Sequence, residues 1–233
     1  MNRNKILKPC NHFTRFFFYK SVSFLKFSRY QLVFILIFSF IFSQAQNKLE
    51  KIVSAEQIET ISINGNQIFN ITVLAVKTDE IKVTSILDGE YQNDYQILLK
   101  EENKTLQLSL EHVSFTDIPD DKRNAHKVIA AMLYLEVPEE LSFHIISDIA
   151  NVDLNGNFET IFIELSQGKC KVKGEAKTAT INTLGGDIDV VTKNAKIKAN
   201  SNNGIVSIDK FSSFISLWKL KTINGNITVA KQE

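Results

Sequence analysis

The sequence predicts an all-β fold, a single-stranded β-solenoid with coils of eighteen residues that follows a region of longer, irregular strands. Glycines punctuate the repeat, because Gly168, Gly186 and Gly204 are eighteen residues apart and Gly225 follows after twenty-one. Apolar residues recur at four fixed positions between these glycines. The four columns are Phe143, Ile161, Ala179, Ile197, Trp218; Ile145, Ile163, Ile181, Ala199, Leu220; Val152, Cys170, Ile188, Val206, Ile227; and Leu154, Val172, Val190, Ile208, Val229.

Each repeat alternates apolar and polar residues, as in Cys170-Lys171-Val172. A period of two indicates a β-strand with one buried face, so each repeat is expected to hold two short strands joined at the glycine. One repeat cannot bury its own apolar face, whereas stacked repeats can. Five stacked coils are therefore expected, with each apolar column forming an interior stack.

A meander of antiparallel hairpins, giving a sandwich or barrel, is the alternative that the regular turns also fit. The solenoid is favoured because hairpins do not require columns at one fixed period. In the solenoid, the last coil and the charged tail Lys231-Gln232-Glu233 are expected to protect the C-terminal end, with Trp218 contributing.

The chain before the repeats has no helical periodicity and is divided here into residues 46–140, with the coils in residues 141–233. Residues 47–58 are interpreted as a polar lead-in, and Asn64-Gly65 as a hairpin turn or a corner. The following strands are expected to cover the N-terminal end of the coils. Strands are predicted at 61–63, 68–76, 81–84, 95–99, 106–110 and 128–137. The polar stretch His112–Lys127 is predicted to be a mobile surface loop.

Residues 1–45 are predicted to be a signal peptide, because they contain seven Lys or Arg and no acidic residue. The apolar run Leu32–Phe42 is short for a spanning helix, and Ser43-Gln44-Ala45 resembles a cleavage site. Cleavage after Ala45 would export the chain to the periplasm, the outer-membrane surface or the exterior, without membrane insertion. An uncleaved N-terminal anchor is the alternative.

Removing this segment changes the charge, since it holds seven of the 27 basic residues and none of the 26 acidic ones. The remaining chain has a net charge of about −6. Nucleic-acid binding typically requires a basic surface, so that class of partner is not expected. The same balance argues against electrostatic attraction to anionic lipid.

Cys170 is the single cysteine of the exported chain, because Cys10 lies in the predicted signal peptide. Its place in an interior column predicts a small buried apolar residue, with a reactive or dimerising thiol as the alternative. An intramolecular disulfide is not possible after cleavage.

The residues with chemical potential form no recognisable catalytic or metal site. Asp187 and Asp189 would project from one strand roughly 7 Å apart, and paired carboxylates can hydrolyse glycosides. The alternative is a ladder of alternating charge with Lys169 and Lys171. Three histidines and three acidic loop residues lack ligand spacing, so neither a metal nor a cofactor is expected. These residues are His112, His126, His144, Asp117, Asp120 and Asp121.

The segment Tyr134-Leu135-Glu136-Val137-Pro138, followed by coils ending in Gly-x-Ile/Val-x-Val/Ile, resembles a family of exported bacterial proteins known as "putative adhesins", a domain of otherwise unknown function. The motif recurs at 168–172, 186–190, 204–208 and 225–229, and the resemblance covers residues 56–230. It implies a β-solenoid at the cell envelope and supplies no catalytic motif. Ala150 at the first corner and the insertion before the last coil depart from the pattern.

These observations predict a non-catalytic envelope protein that presents a surface to a glycan or to another envelope protein. A periplasmic accessory domain of a membrane signalling system and a polysaccharide-cleaving enzyme are the alternatives. Asparagine-rich corners could offer amides to a glycan or could satisfy local turns. The candidate partner surface consists of Asp117, Asp120, Asp121, Lys122, Arg123, Asp187 and Asp189.

Overall fold

A computed structural model describes residues 47–89, 92–113 and 130–232. This part of the chain is all-β: fifteen strands are hydrogen-bonded into one sheet that is not closed, and its helical residues form one 3-10 turn, Gln92–Asp94. The strands before the repeats are β1 (Asn47–Ser54), β2 (Thr60–Asn64), β3 (Ile68–Val76), β4 (Glu80–Asp88), β5 (Tyr95–Glu102), β6 (Thr105–His112) and β7 (Ala130–Pro138). The remaining strands are β8 (Ser142–Ser147), β9 (Asn151–Gln167), β10 (Cys170–Gly185), β11 (Ile188–Thr192), β12 (Ala195–Ser201), β13 (Val206–Ile208), β14 (Ser216–Asn224) and β15 (Ile227–Lys231).

Antiparallel pairing is confined to five strands near the N-terminus. β4 pairs antiparallel with β1 on one side and with β7 on the other, and β5 pairs antiparallel with β6. The interpretation of residues 47–58 as a lead-in was wrong for β1, which is hydrogen-bonded to β4 along its whole length. Its polar residues fit an edge strand, since β1 has no other strand partner among the described residues.

Parallel pairing begins earlier than the repeats. β2 lies between β6 and β8, and β3 lies between β7 and β9, all in parallel. The sequence Asn64-Gly65 is therefore a corner and not a hairpin turn. The Gly65 amide donates a hydrogen bond to the carbonyl of Ile146, 2.7 Å away, which ties the corner to the neighbouring strand.

The central strands pair in parallel with a register shift of eighteen residues. Val152 is paired with Cys170, which is paired with Ile188, and all three side chains are buried. Farther along the same strands, Ile163 is paired with Ile181. β9 and β10 are long because β9 continues through a bend at Gly156 and β10 through a bend at Gly174. Each strand therefore has different neighbours before and after its bend: β9 pairs with β3 and then with β8, and β10 pairs with β11 and then with β14.

The last two repeats do not stack in the order of the sequence, which corrects the expected arrangement. β14 lies between β10 and β12, and β15 lies between β11 and β13. The fifth repeat is thus inserted between the third and the fourth. Trp218, expected at the C-terminal end, is fully buried.

The inserted position suits the more apolar repeat. Ile227 and Val229 of β15 are 0% and 1% exposed, whereas Val206 and Ile208 of β13 are 38% and 41% exposed at the end of the stack. Burying the larger apolar surface, Trp218 included, lowers the free energy of the folded chain. The fourth repeat, with Ala199 in place of Leu220, takes the outer position.

Candidate functional site

A row of outward-facing side chains crosses five strands that are distant in sequence. Tyr134 on β7 is in register with Thr72 on β3, and Thr72 with Asp153 on β9. Asp153 is in register with Lys171 on β10, and Lys171 with Asp189 on β11. Neighbouring strands lie about 4.8 Å apart, so the row extends over roughly 19 Å.

Asp187 and Asp189 are joined by one lysine at the end of this row. The Lys169 Nζ lies 3.2 Å from Asp189 Oδ2 and 3.8 Å from Asp187 Oδ2. The second oxygen of Asp187, Oδ1, accepts a hydrogen bond of 2.9 Å from the backbone amide of Asn226. Both carboxylates are thus held in a ladder of alternating charge, and one oxygen of Asp187 secures the next coil.

Asparagine side chains perform the same task at other corners. Asn151 Oδ1 accepts a hydrogen bond of 3.0 Å from the Lys169 amide, and Asn226 Oδ1 accepts one of 2.9 Å from the Ile205 amide. Each of these side-chain oxygens accepts a hydrogen bond from a backbone amide of the neighbouring repeat, 18 or 21 residues away in the sequence. These side-chain oxygens are therefore engaged within the protein.

A shallow groove of about 320 Å³ lies beside the Tyr134 end of the row. We call it the Tyr134 groove; its outward-facing residues are Asn70, Thr72, Tyr134, Asn151, Asp153, Lys169 and Lys171. Asn151 Nδ2 donates to Asn70 Oδ1 at 3.3 Å, which orients both amides along one wall. The groove thus combines amides, a hydroxyl, one carboxylate and two ammonium groups with the side chain of Tyr134, which is 38% exposed.

The sequence did not single out Tyr134, Thr72 or Asn70 as partner residues, because nothing local joins β3 and β7 to the repeats. The available signal was the alternation Met132-Leu133-Tyr134-Leu135, in which a large aromatic falls on the outward phase. Of the expected partner surface, the structure describes Asp187 and Asp189. Asp117, Asp120, Asp121, Lys122 and Arg123 lie outside the described residues.

Other residues considered for chemistry are engaged in packing. His144 stacks on Phe162 with ring centroids 4.8 Å apart, and His112 packs edge-to-face on Tyr95 at 4.9 Å. Cys170 is a buried free thiol. Burial raises the pKa of this thiol, and the nearby charges of Asp153 and Asp189 raise it further. A high thiol pKa disfavours the nucleophilic thiolate.

The described residues hold neither a metal-ligating cluster nor a membrane-spanning helix. They contain no group of three or more His, Cys, Asp or Glu placed to hold a metal ion. Within the same ranges, no helix is both long and apolar enough to cross a membrane.

Comparison with known proteins gives a likeness of fold. No family model and no curated protein matches the sequence. A solved structure from Clostridium sporogenes, named a "putative cell adhesion protein", aligns with 81% of this chain and 100% of its own chain at 13% identity and a TM-score of 0.59. A "putative adhesin" from Bacteroides fragilis aligns with 81% of this chain and 98% of its own at 11% identity and a TM-score of 0.37.

The Clostridium sporogenes structure shows that this fold occurs in another protein. At 13% identity the likeness concerns the fold and assigns no activity.

Proposed function

We propose that the chain is an exported, non-catalytic envelope protein that binds a glycan or the polar surface of an envelope protein through the Tyr134 groove. The observation that carries this proposal is the convergence of Tyr134, Thr72, Asp153 and Lys171 from four strands on one side of the sheet. Such a surface offers hydrogen-bond donors and acceptors to hydroxyl groups and an aromatic face to a sugar ring.

The Tyr134 side chain is suited to bind an external partner. Its hydroxyl lies 3.9 Å from the sulfur of Met132, which is a weak acceptor. A phenol that is partly exposed and weakly bonded within the protein keeps most of its hydrogen-bonding capacity for a ligand.

The scaffold of this proposal is a β-solenoid in residues 141–233. Parallel pairing with a shift of eighteen residues supports it, as does the stack of corner glycines. Residues 46–140 lead into the coils, and residues 1–45 are a signal peptide that is cleaved after Ala45. The name of the Clostridium sporogenes neighbour is consistent with a role in adhesion.

Binding to an array of envelope glycans tests the groove, using protein expressed from the whole reading frame and purified as the cell processes it. Replacing Tyr134 with Ala should weaken binding by about tenfold or more, because an exposed aromatic anchor is lost. Thr180→Ala, on an outward position away from the groove, is the matched control. Equal binding by Tyr134→Ala and the unmodified protein would show that the Tyr134 groove is not the binding site.

Protease treatment of intact cells tests the location. Digestion of residues 46–233 on intact cells would place the protein on the outer surface and support adhesion. Survival until the outer membrane is opened would favour the second candidate, a periplasmic accessory domain of a membrane regulator. Co-purification with a membrane partner after detergent extraction would then be the observation to seek.

Turnover of acidic polysaccharides is the test of the enzyme alternative. Asp189→Asn is the informative variant, since Asp187 also holds the backbone of the next coil. Cleavage that is lost in Asp189→Asn would contradict a purely binding role.

A further inference from the structure

Two adjacent strands, β14 and β12, carry four exposed lysines on one face. Lys219 and Lys221 belong to β14, and Lys196 and Lys198 belong to β12. Residues two apart on a strand face the same side, and Lys198 is in register with Lys219. Paired strands lie about 4.8 Å apart and residues two apart about 7 Å, so the four ammonium groups share one small area. We call these four residues the lysine patch.

The pairing of Lys198 with Lys219 departs from the arrangement of charge on neighbouring coils. There, Lys171 is in register with Asp153 on one side and with Asp189 on the other. Like charges directly opposite each other on adjacent strands destabilise a sheet. None of the ion pairs formed within the described residues uses a lysine of the patch. The patch therefore opposes folding slightly, and an anionic ligand would remove that cost.

Hydroxyl and amide groups lie beside the lysines on the same face. β10, β14 and β12 pair side by side, and each places three outward residues in register with the next strand. The nine residues form a grid that holds four ammonium groups, two hydroxyls, two amides, one aliphatic side chain and no carboxylate. They are Thr178, Thr180 and Asn182 on β10, Leu217, Lys219 and Lys221 on β14, and Lys196, Lys198 and Asn200 on β12.

Acidic side chains lie beyond two borders of this grid. Lys221 is in register with Asn182, and Asn182 with Glu164 on β9, so Glu164 is two strands away, or about 10 Å. Asn182 Nδ2 donates a hydrogen bond to Glu164 Oε1 at 3.4 Å. Across a second border, a groove of about 280 Å³ at the corner before β14 contains three acids and two lysines. These are Glu140, Glu159, Glu175, Lys177 and Lys193.

The corner acids come nearest to one lysine of the patch. Lys196 is two residues from Asn194, which lines the corner groove. Glu159 is already paired with Lys177 there. Lys198, Lys219 and Lys221 lie farther along their strands and form the centre of the patch.

We propose that the lysine patch binds a linear acidic polysaccharide, at a site separate from the Tyr134 groove and additional to the function proposed above. Lys198, Lys219 and Lys221 bind the acidic groups of the sugar chain through charge-assisted hydrogen bonds. The hydroxyl of Thr180 and the amide of Asn200 bind sugar hydroxyls. Because the grid spans three paired strands, it presents an extended face along which several sugar rings can lie.

The composition of the grid favours a polysaccharide over other polyanions. Peripheral binding to a bilayer combines lysines with apolar side chains that enter the membrane, whereas the single apolar residue of the grid, Leu217, is half-buried. Binding of single-stranded nucleic acid relies on aromatic side chains that stack on bases, and the nine residues include none. Hydroxyl and amide groups beside cations match a ligand that carries both hydroxyl and acidic groups.

Affinity electrophoresis tests the patch, using native gels that contain polygalacturonate or its neutral methyl ester and the same processed protein. The unmodified protein should be retarded by polygalacturonate, less so as salt is raised, and should pass the methyl ester freely. The double variant Lys198→Gln, Lys219→Gln should bind polygalacturonate about tenfold more weakly or worse, because two charge-assisted hydrogen bonds are lost.

The matched control removes the same charge elsewhere. Lys48→Gln with Lys77→Gln changes two exposed lysines near the N-terminal end of the described chain, and neither takes part in an ion pair among the described residues. This variant has the same net charge as Lys198→Gln, Lys219→Gln and should bind polygalacturonate as the unmodified protein does.

Thermal unfolding separates a binding role from a structural one. Lys198→Gln, Lys219→Gln should unfold at the same temperature as the unmodified protein or at a higher one, because it removes two like charges that face each other. A lower unfolding temperature would show that these lysines support the fold and would contradict the argument for a ligand.

Three results would overturn the proposal. They are equal retardation of the two double variants, equal retardation by polygalacturonate and its methyl ester, and absence of binding by the unmodified protein. Binding to vesicles that contain phosphatidylglycerol, without binding to polygalacturonate, would make the partner a bilayer and would also overturn it.

The outcome is distinguishable from that for the Tyr134 groove, which lies on other strands. Tyr134→Ala should bind polygalacturonate as the unmodified protein does. If Tyr134→Ala loses this binding while Lys198→Gln, Lys219→Gln keeps it, the acidic chain binds in the groove and the lysine patch is not a site.

Discussion

At the scale of single residues, the corner glycines explain why the coils can stack so closely. A Cβ on Gly168 would lie 2.0 Å from the carbonyl oxygen of Ala150, and the φ of Gly168 is +121°. The same relation links Gly186 to Gly168, Gly225 to Gly186 and Gly204 to Gly225. Ala150 begins the series and is buried, so the first corner accepts a methyl group that the second cannot.

Replacing Gly168 with Ala should therefore lower the free energy of unfolding by more than about 3 kcal/mol, because a backbone clash adds to the cost of positive φ. Urea unfolding followed by circular dichroism measures this change. Gly185→Ala is the control, since the nearest atom to its added Cβ is 3.7 Å away, and it should cost less than about 1 kcal/mol. Similar stabilities for the two variants would contradict the stacking of the corners.

Cys170 provides a second test at this scale. Its thiol is buried, and its raised pKa leaves little thiolate even at mildly alkaline pH. A thiol-alkylating reagent should therefore modify the folded protein very slowly and the denatured protein rapidly, as mass spectrometry would show. Rapid modification of the folded protein would favour the reactive-thiol alternative.

At the scale of strands, the insertion of the fifth repeat is the feature that sequence order did not predict. Repeats four and five have the same register and could each pair with the third. The structure selects the fifth because β14 carries Trp218 and Leu220 at the positions where β12 carries Ile197 and Ala199. The inward positions of β13 and β15 do not differ in this way, since each strand has one Ile and one Val. The apolar contact area therefore decides the order in which the repeats pair. Residues 209–215 connect β13 to β14 and so allow this order.

Cysteine pairs distinguish the two possible orders. Thr180 is in register with Lys219 on the adjacent strand, whereas Lys198 lies one strand farther away. Thr180→Cys with Lys219→Cys should form a disulfide, because adjacent strands are about 4.8 Å apart and disulfides span 4.4–6.8 Å between Cα atoms. Thr180→Cys with Lys198→Cys should not, and the opposite result would restore the order of the sequence.

At the scale of the whole described unit, strands inside the sheet and strands at its open end differ in how well their backbone amides are protected from solvent. β9 has strand neighbours on both sides along most of its length, whereas β12 and β13 each have one. The amides of β9 should exchange with solvent only on global unfolding, while those on the open side of β12 should exchange in the folded state. Hydrogen-exchange mass spectrometry measures this contrast. Equal protection of β9 and β12 would mean that something covers the open edge of β12.

At the same scale, the distribution of charge along the chain differs from what the net charge indicates. The net charge of about −6 after residue 45 led to the expectation that anionic lipid would be repelled. The charges are unevenly distributed along the chain, because residues 190–233 contain seven lysines and two acidic residues, whereas residues 46–189 contain 13 basic and 24 acidic residues. The net charge of −6 is therefore a sum over a basic C-terminal part and an acidic remainder.

The sequence by itself determined the all-β class, the position of most strands and the identity of the inward-facing residues. It could do so because a period of two fixes which side chains share a face, and glycine marks corners where no Cβ fits. It did not determine the corner role of Asp187 and Asn226, since each accepts a hydrogen bond from a backbone amide that is 39 or 21 residues away in the sequence.

The tertiary structure alone decided which strands are neighbours. Period two gives a strand a buried face but no partner, so the antiparallel pairing of β1 with β4, the parallel pairing of β2 and β3 with the repeats, and the inserted fifth coil could not be read from the chain. The Tyr134 groove and the open edges of β12 and β13 both follow from those pairings. Partner choice depends on how much apolar surface each arrangement buries, and that quantity exists only once the strands are packed together.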